Sequence, residues 1–346
     1  MDIGERKIKI LRAIIHDYIN TGEPIGSRTI AKKYDLGVSS ATIRNEMSDL
    51  EDMGYLEQLH SSSGRKPSDK GYRLYVDKFM EIPKISPEEE LRIKKSIMDL
   101  AVFEVDRMMQ EVIELLSTLT KLTCVVKAPS LRLSYIKYVQ FTSIDNVSVL
   151  VTIVMDTGVV KNTLAKFNTA VEEELIVKFN NYINEKLRYK TVDEFLNKIF
   201  YEIMDEFIRV HENLKTIMKV LLEAFKEIDE VKLYLGGTTN IFNYQEYNDI
   251  GNARKFLSLL DDKDKITDLL NNSTDKDKVS IKIGNENFIE GTQECSVISA
   301  VYNMNGRPLG SIGIIGPTRI HYPKIVSILS EVVKILNENS SDNLKK

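Results

Sequence analysis

Tryptophan is absent, cysteine occurs twice and histidine four times in 346 residues. Cys124 and Cys295 are far apart, each in an apolar neighbourhood, which predicts reduced thiols and no disulfide. His16, His60, His211 and His321 are scattered, with no Cys, Asp or Glu at metal-ligand spacing, so neither a metal centre nor a cofactor is expected. No apolar run reaches about 18 residues, which excludes a membrane-spanning helix. The charged start Met1–Arg6 leads straight into a helical pattern, so no secretory signal and a cytoplasmic location are predicted.

A surplus of positive charge is missing too. The net charge is -4, and residues 1–80 carry 13 Lys and Arg against 12 Asp and Glu. Any affinity for nucleic acid must come from a few placed phosphate contacts and from two copies acting together, not from a polybasic surface. Arg28, Lys32 and Lys33 have only Asp35 near them in sequence, and Arg65, Lys66, Lys70 and Arg73 only Asp69, so two local positive fields are expected. Catalytic motifs are equally scarce. Gly236-Gly237-Thr238-Thr239-Asn240, after Val231–Leu235, is open to two readings, a phosphate-binding turn or a tight structural turn. It lacks the Lys-Ser/Thr ending of a P-loop and the spacing of a dinucleotide fingerprint, which favours the structural turn. Gly313–Thr318 reads as a strand ending in a turn, with no nucleophile–base pair in view. No catalytic residue is assigned and no enzyme is expected.

What is present lies between Asn20 and Asp77. Ile43, Met47 and Leu50 recur at steps of four and three, one buried stripe of a helix. Ala41, Asn45 and Ser48 fall opposite, flanked by Thr42 and Arg44; short and hydrogen-bonding side chains there would let the backbone enter a major groove. Ser39 stands where an N-cap is wanted and Gly54 where a C-terminus is wanted. Upstream, Ser27 is expected to cap a helix that buries Ile30, Ala31 and Tyr34, and 35–38 is the intervening turn. Ile8, Leu11, Ile15, Tyr18 and Ile19 mark a supporting helix. Tyr55–Leu59 alternates like a strand, and Ser61-Ser62-Ser63-Gly64-Arg65-Lys66-Pro67 reads as a polar turn suited to a phosphate backbone. The order is that of a winged helix-turn-helix. The alternatives are a plain helical bundle with Arg44 and Asn45 facing solvent, and a solvated hairpin with a chance basic pair. Arg28, Ser40, Thr42, Arg44, Asn45, Ser48, His60, Ser62, Gly64, Arg65 and Lys66 are the expected contacts to duplex DNA.

Asn20–Ile30, Ser40–Met47 and Gly64–Pro67, with Gly236–Asn240 and Gly310–Arg319 near the far end, resemble the HrcA family of heat-inducible transcription repressors. The likeness covers nearly the whole chain, the middle by layout more than by letters. In the wing, Ser61-Ser62-Ser63 stands where the family usually has Thr-Ser-Ala. The resemblance implies a repressor of chaperone operons such as grpE-dnaK-dnaJ and groELS. It further implies a homodimer on the inverted-repeat operator called CIRCE, kept active by the GroEL-type chaperonin.

Beyond the linker Ile82–Pro87, a helical stripe runs through Ile93, Ile97, Ala101, Val105, Met108, Val112, Leu115 and Leu119. Tyr135–Phe141, Val147–Val154 and Val159–Val160 read as strands, and strand character returns in Glu294–Tyr302 and Arg307–Ile315. These blocks are expected to be halves of one antiparallel sheet, split by a mainly helical insertion over roughly 170–270, whose stripe includes Ile203, Phe207, Val210, Leu214, Ile217, Leu221, Ala224 and Ile228. The pattern alone supports a split α+β domain with an insert, in a multidomain α+β chain; the resemblance implies that the sheet is GAF-like and the insertion dimerises. The expected division is a winged helix-turn-helix at 1–82, a GAF-like domain at 83–169 and 271–346, and an inserted dimerisation domain at 170–270. Two functions stay open, the chaperone-operon repressor and a one-component regulator sensing a small molecule in its GAF-like domain. An apolar cavity with converging polar groups would favour the second.

Overall fold

Apolar spacing and capping account for the first elements. In the computed structural model, which describes residues 3–58, 64–98, 105–128, 131–132, 134–156, 159–209, 211, 214–229, 232–271, 279–304 and 307–342, three helices open the chain. They are α1 (Glu5–Thr21), α2 (Ser27–Lys33) and α3 (Ser40–Asp52). Ile10, Leu11, Ile14, Ile15, Ile30, Ile43 and Leu50 are buried where they meet, each contributing about 1.5–3 kcal/mol. The Ser39 side chain accepts from the Thr42 amide and caps α3 as predicted. Ser27 does not cap α2: it is the first helical residue, and Gly26 precedes it in extended conformation with no side-chain cap. Strands β1 (Leu56–Gln58) and β2 (Arg65–Pro67) pair antiparallel, and α4 (Asp69–Lys78) follows, capped by Ser68. Arg65–Pro67 is therefore strand, not turn, because its backbone is paired with β1 and Arg65 with Ile25.

By contacts the chain forms two compact units, one of Met1–Met98, Gln110–Lys127 and Leu233–Lys346, the other of Asp99–Met109 and Ala128–Lys232. In the first, α5 (Pro87–Met98) buries Ile93 and Ile97. Its five-stranded sheet has the order β7 (Leu233–Gly236), β3 (Thr123–Lys127), β10 (Arg307–Pro317), β9 (Cys295–Met304), β8 (Ser280–Ile283), antiparallel throughout. One face, with Val125, Val297 and Ile315, packs against Phe256, Leu259, Leu260, Ile266 and Leu270 of α11 (Ile250–Asp261) and α12 (Lys263–Asn271). On the other, the Ser296 hydroxyl meets the hydroxyl of Tyr322, which opens α13 (Tyr322–Asp342). Burial pushes the Cys124 thiol up to about 12 and that of Cys295 up to about 11, so both are poor nucleophiles.

The helix α6 (Val105–Thr120) carries residues of both units. Its buried side chains include Met109, Ile113 and Leu116 beside Val112 and Leu115.

In the second unit, β4 (Ile136–Asp145), β5 (Ser148–Met155) and β6 (Val160–Lys166) form a sheet of their own. This corrects the expectation that they are half of the C-terminal sheet. Alternation reports that a segment is strand, not which strand it meets, and consecutive hairpins pair at the lowest loop-closure cost. Val139, Phe141, Val151 and Ile153 pack against Phe179 and Ile183 of α7 (Glu173–Leu187). The short helices α8 (Val192–Glu194) and α9 (Phe200–Ile203) run together through the wider turns Phe195–Ile199 and Met204–Ile208. Phe195 and Phe225, the latter on α10 (Lys215–Asp229), complete this core with ring centroids 4.4 Å apart. The sequence stripe is thus shared between 192–208 and α10, and Val210 lies outside the described residues.

Candidate nucleic-acid interface

Burial of Ile43, Met47 and Leu50 turns the opposite side of α3 outward. Arg44, Asn45 and Ser48 are exposed, with Ala41 among them, while Ser40 and Thr42 are half-buried. Thr42 is occupied by the cap, its hydroxyl 3.0 Å from that of Ser39, which leaves Arg44, Asn45 and Ser48 as the outward hydrogen-bonding set. Arg28 and Lys32 are exposed on α2, which packs against α3. Among the described residues none of Arg28, Lys32, Arg44 and Asn45 has a side-chain hydrogen bond or ion pair, so their donors are directed to solvent.

The other predicted cations are engaged. Arg65 Nε donates to Glu51 at 2.7 Å, Lys66 pairs with Glu57 at 3.3 Å and Lys33 pairs with the buried Asp17, whose carboxylate holds the lysine above its ordinary range. Lys70 donates to the Met53 carbonyl at 2.8 Å and lies over the Tyr55 ring, and Arg73 pairs with Glu286 and Asp77. The second positive field expected from sequence neighbours is therefore corrected, since carboxylates pair with Arg65, Lys66 and Arg73, whereas the first loses only Lys33 and keeps Arg28 and Lys32. Arg65 and Lys66 sit in strand β2. Gly64 precedes them, and a Cβ there would lie 2.6 Å from the Ile25 backbone; only glycine admits the paired bonds between Ile25 and Arg65, 3.0 and 2.9 Å. His60 and Ser62, like Leu59, Ser61 and Ser63, lie outside the described residues. Sequence reading missed Ile25 as a strand partner; the only signal was the unexplained glycine at position 64.

The other motif glycines are structural. Gly237 has φ +67°, and the Asn240 side-chain amide donates to the Ser117 and Leu122 carbonyls at 3.3 and 3.1 Å, which makes Gly236–Asn240 a tied-down turn. An open cleft of about 730 Å³ lies between α11 and the segment before β9, bordered by Arg254, Lys255, Lys265, Glu290 and Glu294. Its charged, open border is unlike an enclosed apolar ligand cavity.

With this geometry in place, comparison with known proteins decides the family. Residues 106–326 match the family model described as HrcA protein C terminal domain. The heat-inducible transcription repressor HrcA of Clostridium tetani is 54% identical over 344 residues, 99% of this chain and 97% of that one. The chain belongs to the HrcA family. Repressors of the same name from Clostridium acetobutylicum, 49% identical with 98% of each chain covered, and Ruminiclostridium cellulolyticum, 40% identical with 98% and 97% covered, extend the match. A crystal structure of a hypothetical protein shares the fold, with a TM-score of 0.66, 22% identity and 99% of both chains covered. As an HrcA protein the chain is a negative regulator of heat-shock transcription. No helix among the described residues is long and apolar enough to cross a membrane.

Proposed function

We propose that residues 1–82 are a winged helix-turn-helix that binds duplex DNA, with α3 in the major groove and the β1–β2 ribbon as the wing. The observation that carries this reading is the exposed face of α3, where Arg44, Asn45 and Ser48 stand clear of the core beside the uncompensated Arg28 and Lys32 of α2. Arg44 and Asn45 supply the donor forks that read base edges, Arg28 and Lys32 the charge that meets phosphates. Lys66 and Arg65 reach phosphate by exchanging Glu57 and Glu51 for it, while His60, Ser62 and Gly64 belong to the wing by sequence.

The operator is an inverted repeat, CIRCE, read by a homodimer in the cytoplasm, and the input is the GroEL-type chaperonin; family membership supports both. The five-stranded sheet and its helices act as the GAF-like domain, and the second compact unit, whose helices span much of 170–232, as the dimerisation insert. A head of near-zero net charge binds weakly alone, which favours two copies on two-fold DNA.

Selection of duplexes from a random library by the full chain, followed by footprinting, tests the reading. Two inverted protected half-sites are expected; a single asymmetric block at monomer stoichiometry contradicts it. For the chaperonin, the operator-binding fraction near the protein's stability limit is expected to rise with chaperonin ratio. No response at any ratio, with a shift on adding a metabolite, transfers the role to the small-molecule sensor.

A further inference from the structure

The head meets the five-stranded sheet at polar contacts on two of its helices. On α4, Arg73 Nε donates to Glu286 at 2.7 Å, Nη2 donates to the same carboxylate and to the Ile281 carbonyl at 2.6 Å, and Asp69 accepts from the amide and side chain of Asn285 at 2.9 and 3.0 Å. Gly284 has φ +53°, and a Cβ there would fall 2.0 Å from the Asp69 carboxylate, so the approach is built for glycine. On α1, Arg319 Nη1 donates to the Ile19 carbonyl at 3.3 Å, one of the last-turn carbonyls that the helix leaves unpaired, while Nε is held by Glu246 at 2.5 Å. The guanidinium lies over the Tyr244 ring and against Gly22, and the Arg319 side chain is only 8% exposed. Between the two sites the Tyr72 and Tyr322 rings meet at 5.8 Å.

Two atoms at this seam, the Tyr72 hydroxyl and Glu246 Oε2, are buried without a hydrogen-bond partner. Contacts on two separate helices fix an angle, which one contact cannot.

We propose that Arg73 and Arg319 are positioning residues that lock the head at one angle on the sheet, and thereby set the interval between operator half-sites that the repressor accepts. This rests on the DNA-binding reading above. Neither residue lies on the outward face of α3, so neither is asked to touch a base. Their effect is on where α3 points, and a loosened joint would let two heads reach a wider range of intervals with less preference for any.

The test compares the selected duplex with copies whose half-site interval is changed by roughly 2 and roughly 5 base pairs, the latter half a helical turn, and with an isolated half-site. Wild type is expected to prefer the selected interval by about 100-fold, the gain from engaging a second half-site intramolecularly. The Arg73→Ala/Arg319→Ala double variant should fall below about tenfold preference while its affinity for the isolated half-site stays at the wild-type level. A folded double variant that keeps the full preference overturns the proposal, as does one whose isolated half-site affinity falls in step. Should the double variant fail to fold, Glu286→Gln and Arg319→Lys, which preserve volume, decide it: intermediate preference supports the joint and wild-type preference in both refutes it. A wild-type chain that selects no duplex sinks the DNA-binding reading and the joint together, an outcome distinct from retained preference.

Discussion

Arg44 and Asn45 differ from Lys66 in what surrounds them. With no internal partner to give up, Arg44→Ala or Asn45→Ala should cost about 1–3 kcal/mol on the correct operator and little on other sequences. Lys66 must leave Glu57, 3.3 Å away, before meeting a phosphate. Glu57→Gln should therefore strengthen binding to all sequences alike and steepen the salt dependence by up to about one unit, and Lys66→Ala should do the reverse. Salt titrations of affinity check both; a change of sequence preference from either wing variant would reverse the assigned roles. His321 offers a third test. Burial, then His16 and Lys324, hold its pKa below the ordinary 6.5. The unfolded chain thus binds more protons near that pH, so this contribution to stability is complete above about 6.5 and is lost as pH falls through the lowered folded value. His321→Gln should flatten the acid-side decline of Tm, and an unchanged slope removes His321 as its cause. The outward residues of α3 were legible because helical spacing dictates them. The neutralising carboxylates were not, because Asp17 and Glu51 lie 16 and 14 positions from the lysine and arginine they meet, and only the fold brings them together.

Element type was legible where a local cause fixes it, as in the Ser39 cap, the αL glycine after α3 and the stripe of Ile43, Met47 and Leu50. Strand partnership was not. Nothing in the alternation of 136–155 distinguishes pairing with β6 from pairing with β10, and the deciding contacts come from α7. Two of these are unusual. Asn180 exchanges hydrogen bonds with the Phe141 backbone at 2.8 and 2.8 Å, and Asn184 with that of Val139 at 3.0 and 2.6 Å. Side-chain amides one helical turn apart thus take the place of a missing neighbouring strand along β4. Replacing both asparagines with alanine would leave four backbone groups unpaired, at about 1–3 kcal/mol for each that water cannot reach. It would also expose an edge that can template pairing with another chain. The double variant should unfold at lower temperature and aggregate faster, measured by light scattering. Normal solubility and Tm would show that water replaces the amides without cost.

At the scale of the whole chain, the insertion's ends are the most informative feature. Lys127 ends β3 and Leu233 begins β7, and these two residues are register partners in the sheet. The Ala128 amide then donates to the Lys232 carbonyl at 2.8 Å, so the chain leaves and re-enters at neighbouring points of one ladder. Excision of 170–270, the span expected from helical periodicity, would remove β7 and also α11 and α12, whose Phe256, Leu259 and Leu270 cover one face of the sheet. That deletion would unfold the sheet and test nothing about association. Replacing 129–231 with a two-residue Asn-Gly turn instead keeps the hydrogen-bonded Ala128–Lys232 pair as the closing pair and joins β3 and β7 into an antiparallel hairpin of the geometry such turns favour. The shortened chain should fold with the head and five-stranded sheet intact, because their contacts lie within one compact unit. If the insert is the dimerisation element, it should sediment as a monomer and bind an isolated half-site as well as the full chain does, but lose about 100-fold on the two-half-site duplex. A shortened chain still dimeric at micromolar concentration would place the seam in the head or the sheet.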